Sequence, residues 1–501
     1  MTKPLTVLGA FGAVLIAATA APVEAQTLRL AHPFGWGGSE SLDPISPVRF
    51  YELNQLIYSR LVRQNVETGR PEPDLAEAWE ATPDAKVWTF TLRDGVSFHD
   101  GSALTAEDVV FSLLRTQSET IDSPTKGVMG IIEAAEAVDD RTVKVTLKSS
   151  HADFPLLVMD YRIRIVSKAA CGGDLDALCE SGVGTGPFKL ASLDVEGTSV
   201  LERFDEFWAG PAGVETVEII AIADQEARIA ALQAGQIDIV FSLTNQQKPL
   251  FANNPNFVMQ SVPTGRWVGF AMNTTEEPFT DARVRKAMRM AVDRETMGQL
   301  VYGAGGYVVT CDHPVWSGDQ YRAEIDCPQD IDGAKALLAE AGHADGLAVE
   351  LFVSDISEGA VRMAEVYQAQ VAEAGIDVAL NLAPSDGYWT DTWMKEPFVA
   401  TAWSQRPADQ ILNEAYRSGA AWNESFWTVS EFDAALDAAR EELDFETRKE
   451  LYGDLQRQLF EEGGTFIPVH LNSGRAFSAK ISGLPPVEDF TIRFEDIHKA
   501  E

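Results

Sequence analysis

Residues 76–114, AEAWEATPDAKVWTFTLRDGVSFHDGSALTAEDVVFSLL, can be parsed from local chemistry alone. Trp88, Phe90 and Leu92 alternate with Thr89 and Thr91, the period-two pattern of a strand that buries one face. Arg93-Asp94-Gly95 supplies a turn, and Val96 and Phe98 resume the alternation before Asp100-Gly101 breaks it, so a hairpin is expected. Thr105 opens a helix. Its hydroxyl is placed to accept from the free N–H groups of the first turn, with Asp108 reaching back to complete a capping box. Val109, Val110, Leu113 and Leu114 then form the apolar stripe.

Outward from this stretch the chain alternates between strands and helices. Thr142 to Leu147 reads as another strand through Val143, Val145 and Leu147. Val217, Ile219 and Ala221 alternate, Asp224 caps a helix that Ala234-Gly235 ends, and Ile237 to Phe241 is apolar. Such a β-α-β unit requires a parallel pair with a right-handed crossover. A second unit runs through Leu347, Val349, Leu351 and Val353, a helical stripe at Val361, Ala364, Tyr367 and Val371, Gly375 as terminator, and Val378 to Leu382. Two separate α/β lobes are therefore expected.

At the N-terminus, Lys3, an apolar run from Leu5 to Ala21, and the small residues Val23 and Ala25 before Gln26 read as a secretory signal peptide over Met1 to Ala25. The run is shorter than the roughly 20 residues a spanning helix needs. No cysteine stands at the cleavage point for lipid attachment, so a soluble periplasmic protein is expected. A hydrophobic content of 45% over 501 residues is ample for two or three packed domains. The formal net charge of −36 argues against nucleic acid or an anionic membrane as partner. In an oxidising compartment the four cysteines are most simply read as local disulfides, Cys171 with Cys179 and Cys311 with Cys327, with cross-chain pairing left open.

Catalytic sets are lacking. There is no G-x-S-x-G or H-E-x-x-H, and Ser123-Pro-Thr-Lys126, which matches S-x-x-K, has no K-T-G companion. The seven histidines show no pair at helix spacing, so no metal site and no cofactor is expected. A periplasmic hydrolase is the competing class, distinguished by turnover of a candidate peptide.

Ala78-Trp79 followed by Asp84, the run WTFTLRDGVSFHDG, and TAEDVVFS resemble a family signature. So do GTGPFKL, ALQAGQIDIV, PFTDARVRKAMRMAVDRETM and RMAEVYQAQVAEAGIDV further on. The family is the bacterial extracellular solute-binding proteins of the dipeptide/oligopeptide type, components of ABC importers. The resemblance covers nearly all of the mature chain. It implies an α/β, two-lobed periplasmic binding protein fold with a hinge, a central ligand cleft and an inserted third α+β domain. One lobe would comprise residues 26–60, 184–264 and 473–501, with 61–183 inserted beside it and 265–472 opposing it. Closure on a small-molecule or peptide ligand would be recognised by a permease and ATPase complex at the inner membrane, with the protein acting as a monomer. Its loop after the first strand would border the cleft, which makes Phe34 and Trp36 candidate walls.

Ligand chemistry is most legible in Thr401-Ala-Trp-Ser-Gln-Arg-Pro-Ala-Asp-Gln410. In peptide-binding members that resemble this chain, an Asp three residues after the Trp pairs with the ligand's α-ammonium group; here that position is Arg406. A guanidinium there suits a carboxylate, phosphate or other planar anion. Family members also carry an Arg in the loop before the helix near Val361, whereas Ser354-Asp-Ile-Ser-Glu358 has none. The two charges look exchanged, so Arg406 would meet an anionic end and Glu358 or Asp355 a cationic one. The alternative is a structural ion pair between Arg406 and Asp409. Trp403 is the candidate aromatic wall by family position, next to Ser404, while Trp267 at the crossing between lobes serves hinge or ligand, and Trp422 and Trp427 read as packing. A non-peptide zwitterion, an opine-like solute or amino-acid conjugate, is the second ligand class.

Overall fold

The computed structural model describes residues 26–32, 40–47, 49–487 and 491–500; the expected signal peptide, Phe34 and Trp36 lie outside them. Among the described residues no helix is long and apolar enough to cross a membrane.

The 76–114 stretch forms its strand at Val87–Leu92, with Phe90 and Leu92 sealed from solvent and Trp88 nearly so. This strand pairs antiparallel with Ala76–Ala81 on one side and Thr142–Leu147 on the other, and Ile132–Asp139 completes a four-stranded sheet. The expected hairpin is displaced. Val96 and Phe98 do not fold back on Trp88; they pair across Asp100-Gly101 with Ser102 and Leu104, through Phe98 N to Ser102 O and Leu104 N to Val96 O. The partners of the strand come from distant sequence, so a local turn signal could not find them. The helix Ala106–Arg115 starts where expected, with the capping box between Thr105 and Asp108 in place; the Thr105 N–H and hydroxyl each lie 3.0 Å from Asp108 Oδ2. Its apolar stripe covers the sheet, packing Val109 and Leu113 against Phe90, Val143 and Val145.

A larger twelve-stranded sheet carries the rest of the chain. Its path runs Ile376–Leu382, Leu347–Val353, Phe398–Trp403, Phe257–Met272, Val469–Ser478, Ile239–Leu243, Thr27–His32, Thr216–Ala221, Thr198–Arg203 and Phe188–Ser192. Leu347–Val353 and Ile376–Leu382 pair directly in parallel around the helix Ala360–Val371, with Gly375 at φ +82° ending the crossover. The other β-α-β unit differs from expectation. Thr27–His32 intervenes between its two strands and lies parallel to both, and the second strand begins at Ile239 instead of Ile237. A crossover helix fixes parallel direction but leaves room for a strand between.

Two long strands tie the halves of this sheet together. Phe257–Pro263 pairs with Asn472–Ser478, the ladder slips between Pro263 and Trp267, and Trp267–Met272 then pairs with Phe398–Trp403. One apolar core surrounds Val268, Phe270, Met363 and Tyr367; another surrounds Leu28, Leu30, Val217 and Ile219. His99 fastens the four-stranded unit to the larger sheet. Its Nε2 lies 2.9 Å from Gly186 O, and Gly184 N donates to its Nδ1 at 3.3 Å, so the HDG and GTGP runs meet in space. Burial holds this imidazole down at about 4, a neutral acceptor and donor at ordinary pH. Cys171 is bonded to Cys179 and Cys311 to Cys327.

Candidate functional site

A cleft of about 850 Å³ opens between the four-stranded unit and the far half of the large sheet. Pro124 to Ile131 and His151 to Arg162 line one wall; Trp316 to Gln320, Ser404 to Glu414, Trp422 and Arg440 line the other, with Arg266 between them. At its rim the two walls touch. Gly69, at φ +69°, is so close to Gly318 that an added Cβ would sit 2.4 Å from the Gly318 carbonyl oxygen, which only glycine avoids.

Arg406 stands in the loop before the helix Ala408–Ala415 and faces the cleft. It is half-buried, with Nε 3.5 Å from Glu414 Oε2 and Nη1 donating to the Gln405 carbonyl at 3.0 Å. It does not pair with Asp409. The helix begins between them and turns Asp409 inward, where Arg440 Nε and Nη2 donate to it at 2.8 and 2.9 Å, Tyr452 Oη at 2.9 Å and Asn413 Nδ2 at 2.9 Å. His151 Nε2 approaches the same carboxylate at 3.4 Å from the opposite wall. Burial pushes Asp409 up, yet His151 and Arg440 outweigh it and hold the carboxyl far below its ordinary value.

The aromatic wall also differs from expectation. Trp267 is 1% exposed and stacks on Trp403, centroids 6.2 Å apart and planes 18° from parallel, so its ring is core and not ligand surface. Trp403 is half-buried behind the lining. Trp422 instead reaches the cleft, 47% exposed and edge-on to Trp403 at 5.9 Å, while Trp427 is buried among Phe432 and Leu436 as its packing role requires. The family resemblance ranked Trp403 above Trp422, and the loop direction that brings Trp422 to the cleft is not legible in local sequence.

Glu358 and Asp355 are exposed in the loop before Ala360–Val371 and do not line this cleft with Arg406. Glu358 acts electrostatically on Tyr302 and Lys248. The expected exchange of two charges across one ligand therefore fails on the acidic side. Ser404 does line the cleft, exposed. Sequence reading missed four further polar groups. Arg266 is exposed in the cleft, and among the described residues no acceptor meets its guanidinium. Arg162 is held by Asp160 at 2.8 Å. Asp319, lifted by burial to about 6, accepts from Tyr321 N and Ala408 N at 2.8 and 2.9 Å and so caps the Arg406 helix from outside. Glu424 lies beneath Trp403. The Ser123/Lys126 spacing is no constellation, since Ser123 contacts Thr125 Oγ1 at 2.8 Å while Lys126 turns outward to Glu119 at 2.7 Å.

An α/β sheet divided by two shared strands, with a polar and aromatic cleft facing an inserted unit, defines a two-lobed periplasmic binding protein. The match to the model of bacterial extracellular solute-binding proteins, family 5, spans residues 70–423, and the chain belongs to that family, the solute-binding components of ABC importers. It is 25% identical over 441 residues to a glutathione-binding protein of Pectobacterium atrosepticum, covering 85% of each chain. It is 28% identical over 515 residues to the dipeptide-binding protein of Escherichia coli strain K12, covering 92% of each. The unliganded open form of a periplasmic murein tripeptide-binding protein superposes with a TM-score of 0.85 at 23% identity, over 95% of this chain and 98% of that one.

Proposed function

We propose that this protein captures peptides or peptide-like solutes bearing an anionic end, by closure of its two lobes, and delivers them to a membrane permease. The observation that carries the ligand class is the pair of cleft arginines. Arg406 is held only loosely by Glu414, and Arg266 has no acceptor among the described residues, so both guanidiniums are available to a carboxylate. Trp422 and Ser404 supply a stacking face and a hydroxyl beside them. The dipeptide- and glutathione-binding relatives make carboxylate-bearing peptides the natural candidates, glutathione carrying two such groups. An arginine where peptide-binding relatives place an acid also favours a second reading, a non-peptide zwitterion or anion.

The proposed lobes are residues 26–60, 184–264 and 473–501 against 265–472, with 61–183 inserted. The ladder slip between Pro263 and Trp267 supports a hinge there, because irregular pairing is where a shared strand can bend at least cost. Binding would shift the open–closed balance by the ligand's extra affinity for the closed form. Export through a leader ending at Ala25, residence in the periplasm and action as a monomer complete the proposal.

Native mass spectrometry of the purified mature protein, followed by denaturing release, tests the ligand class. A released carboxylate-bearing peptide sustains the first reading and a non-peptide anion or zwitterion the second. A purely cationic or uncharged solute would overturn both.

A further inference from the structure

We propose that Glu424 is a positioning residue for the cleft: its carboxylate, through the indole N–H of Trp403, fixes the tryptophan stack that presents Trp422 to the ligand. This rests on the cleft being the binding site, as argued above.

Glu424 is 3% exposed and lies in the irregular loop that follows Trp422, its own N–H donating to the Trp422 carbonyl at 2.8 Å. Three donors converge on its carboxylate: Thr401 Oγ1 at 2.6 Å and Trp393 Nε1 at 2.7 Å on Oε2, and Trp403 Nε1 at 3.2 Å on Oε1. Among the described residues no cation pairs with it. The phenols of Tyr388 and Tyr416 feel its charge, and Tyr388 Oη is spent on the Ala400 carbonyl at 2.7 Å.

Only a carboxylate fits this surround. It offers two acceptor oxygens and no donor, whereas a glutamine would turn an NH2 group toward one of the indoles. A buried carboxylate without a countercharge is costly, and three directed donors partly offset that cost. Burial lifts Glu424 to about 7 in spite of them. When protonated, its O–H can pass to Thr401 Oγ1 by rotation of that hydroxyl, leaving both indoles seated. Trp403 so held is clamped between buried Trp267 and exposed Trp422, and it is this clamp that gives Trp422 a fixed edge.

Acrylamide, a small neutral quencher, reads this wall without any ligand. In the full mature chain, Glu424→Gln should raise the quenching of the tryptophan emission about twofold as ring faces lose their packing, and the rise should vanish in a Trp422→Phe background. If Glu424→Gln does not fold, Trp403→Phe keeps an aromatic ring while removing the indole N–H together with its five-membered ring. Losing that donor should likewise raise the quenching of the remaining tryptophan emission, because Trp422 loses its fixed neighbour. Unchanged quenching in Glu424→Gln, or in Trp403→Phe where Glu424→Gln does not fold, would overturn the proposal. None of these signals depends on which solute the cleft takes, so a failure here leaves the ligand reading to be judged by the released solute.

Discussion

Arg440 grips Asp409 with two nitrogens, at 2.8 and 2.9 Å, while the backbone carbonyl of the same arginine accepts from Ala152 N at 2.7 Å across the cleft. One residue thus joins the helix behind Arg406 to the opposing wall. Asp153 adds a second bridge, accepting from Tyr321 Oη at 2.6 Å and lying 3.3 Å from Arg448.

Removing the acid should be costly. Asp409→Ala leaves Arg440, His151 and Tyr452 facing a void, and breaking a buried pair from one side costs about 3–5 kcal/mol. Chemical denaturation at neutral pH should record a loss of that order. The pH dependence has a definite sign. Because the folded carboxyl lies below its unfolded value, its stabilisation is complete above about pH 4 and is lost as the solution is acidified further. The wild type should therefore approach the variant in stability at low pH.

Arg406→Ala should separate binding from folding. Its half-buried, 3.5 Å contact with Glu414 is worth at most about 1 kcal/mol, so the melting temperature should hardly move. Affinity for the solute released from the wild type should fall about tenfold or more if a charge-assisted bond is lost. Calorimetry showing equal affinity would remove Arg406 from the site.

The core of the inserted unit offers a sharper stability test. Phe90 is fully buried against Trp88 and Phe154. Phe90→Ala should cost about 3–5 kcal/mol by deletion of ring contacts and the cavity left behind. Hydrogen exchange should place the loss first in the four-stranded sheet, since its core is separate from the other clusters.

Reduction should act unequally on the two disulfides. Cys311–Cys327 closes a sixteen-residue separation and Cys171–Cys179 one of eight. In the chain-entropy view the longer loop contributes about 3 kcal/mol and the shorter about 2.5. Paired Cys→Ser variants, melted separately, should show the larger drop for Cys311/Cys327.

The Val87–Leu92 strand, the Thr105 helix start, the Gly375 terminator and the parallel pair around Ala360–Val371 were all legible in sequence. Each depends on alternation, capping or backbone freedom within a few residues. The hairpin after Leu92 and the direct pairing of Thr216–Ala221 with Ile239–Leu243 were misjudged, because strand neighbours are chosen by distant segments.

What the sequence determined by itself is the family, the α/β class and the identity of Arg406 in the loop that the structure places at the cleft, since these are written in local runs of residues. The tertiary structure alone decided which acid holds which arginine and which tryptophan meets the cleft. Asp409 is claimed by Arg440 and by His151, and Glu424 by Trp393 and Trp403, because burial makes an unpartnered charge too costly to leave. The partners that relieve it are brought together by packing across the fold, where spacing along the chain carries no signal.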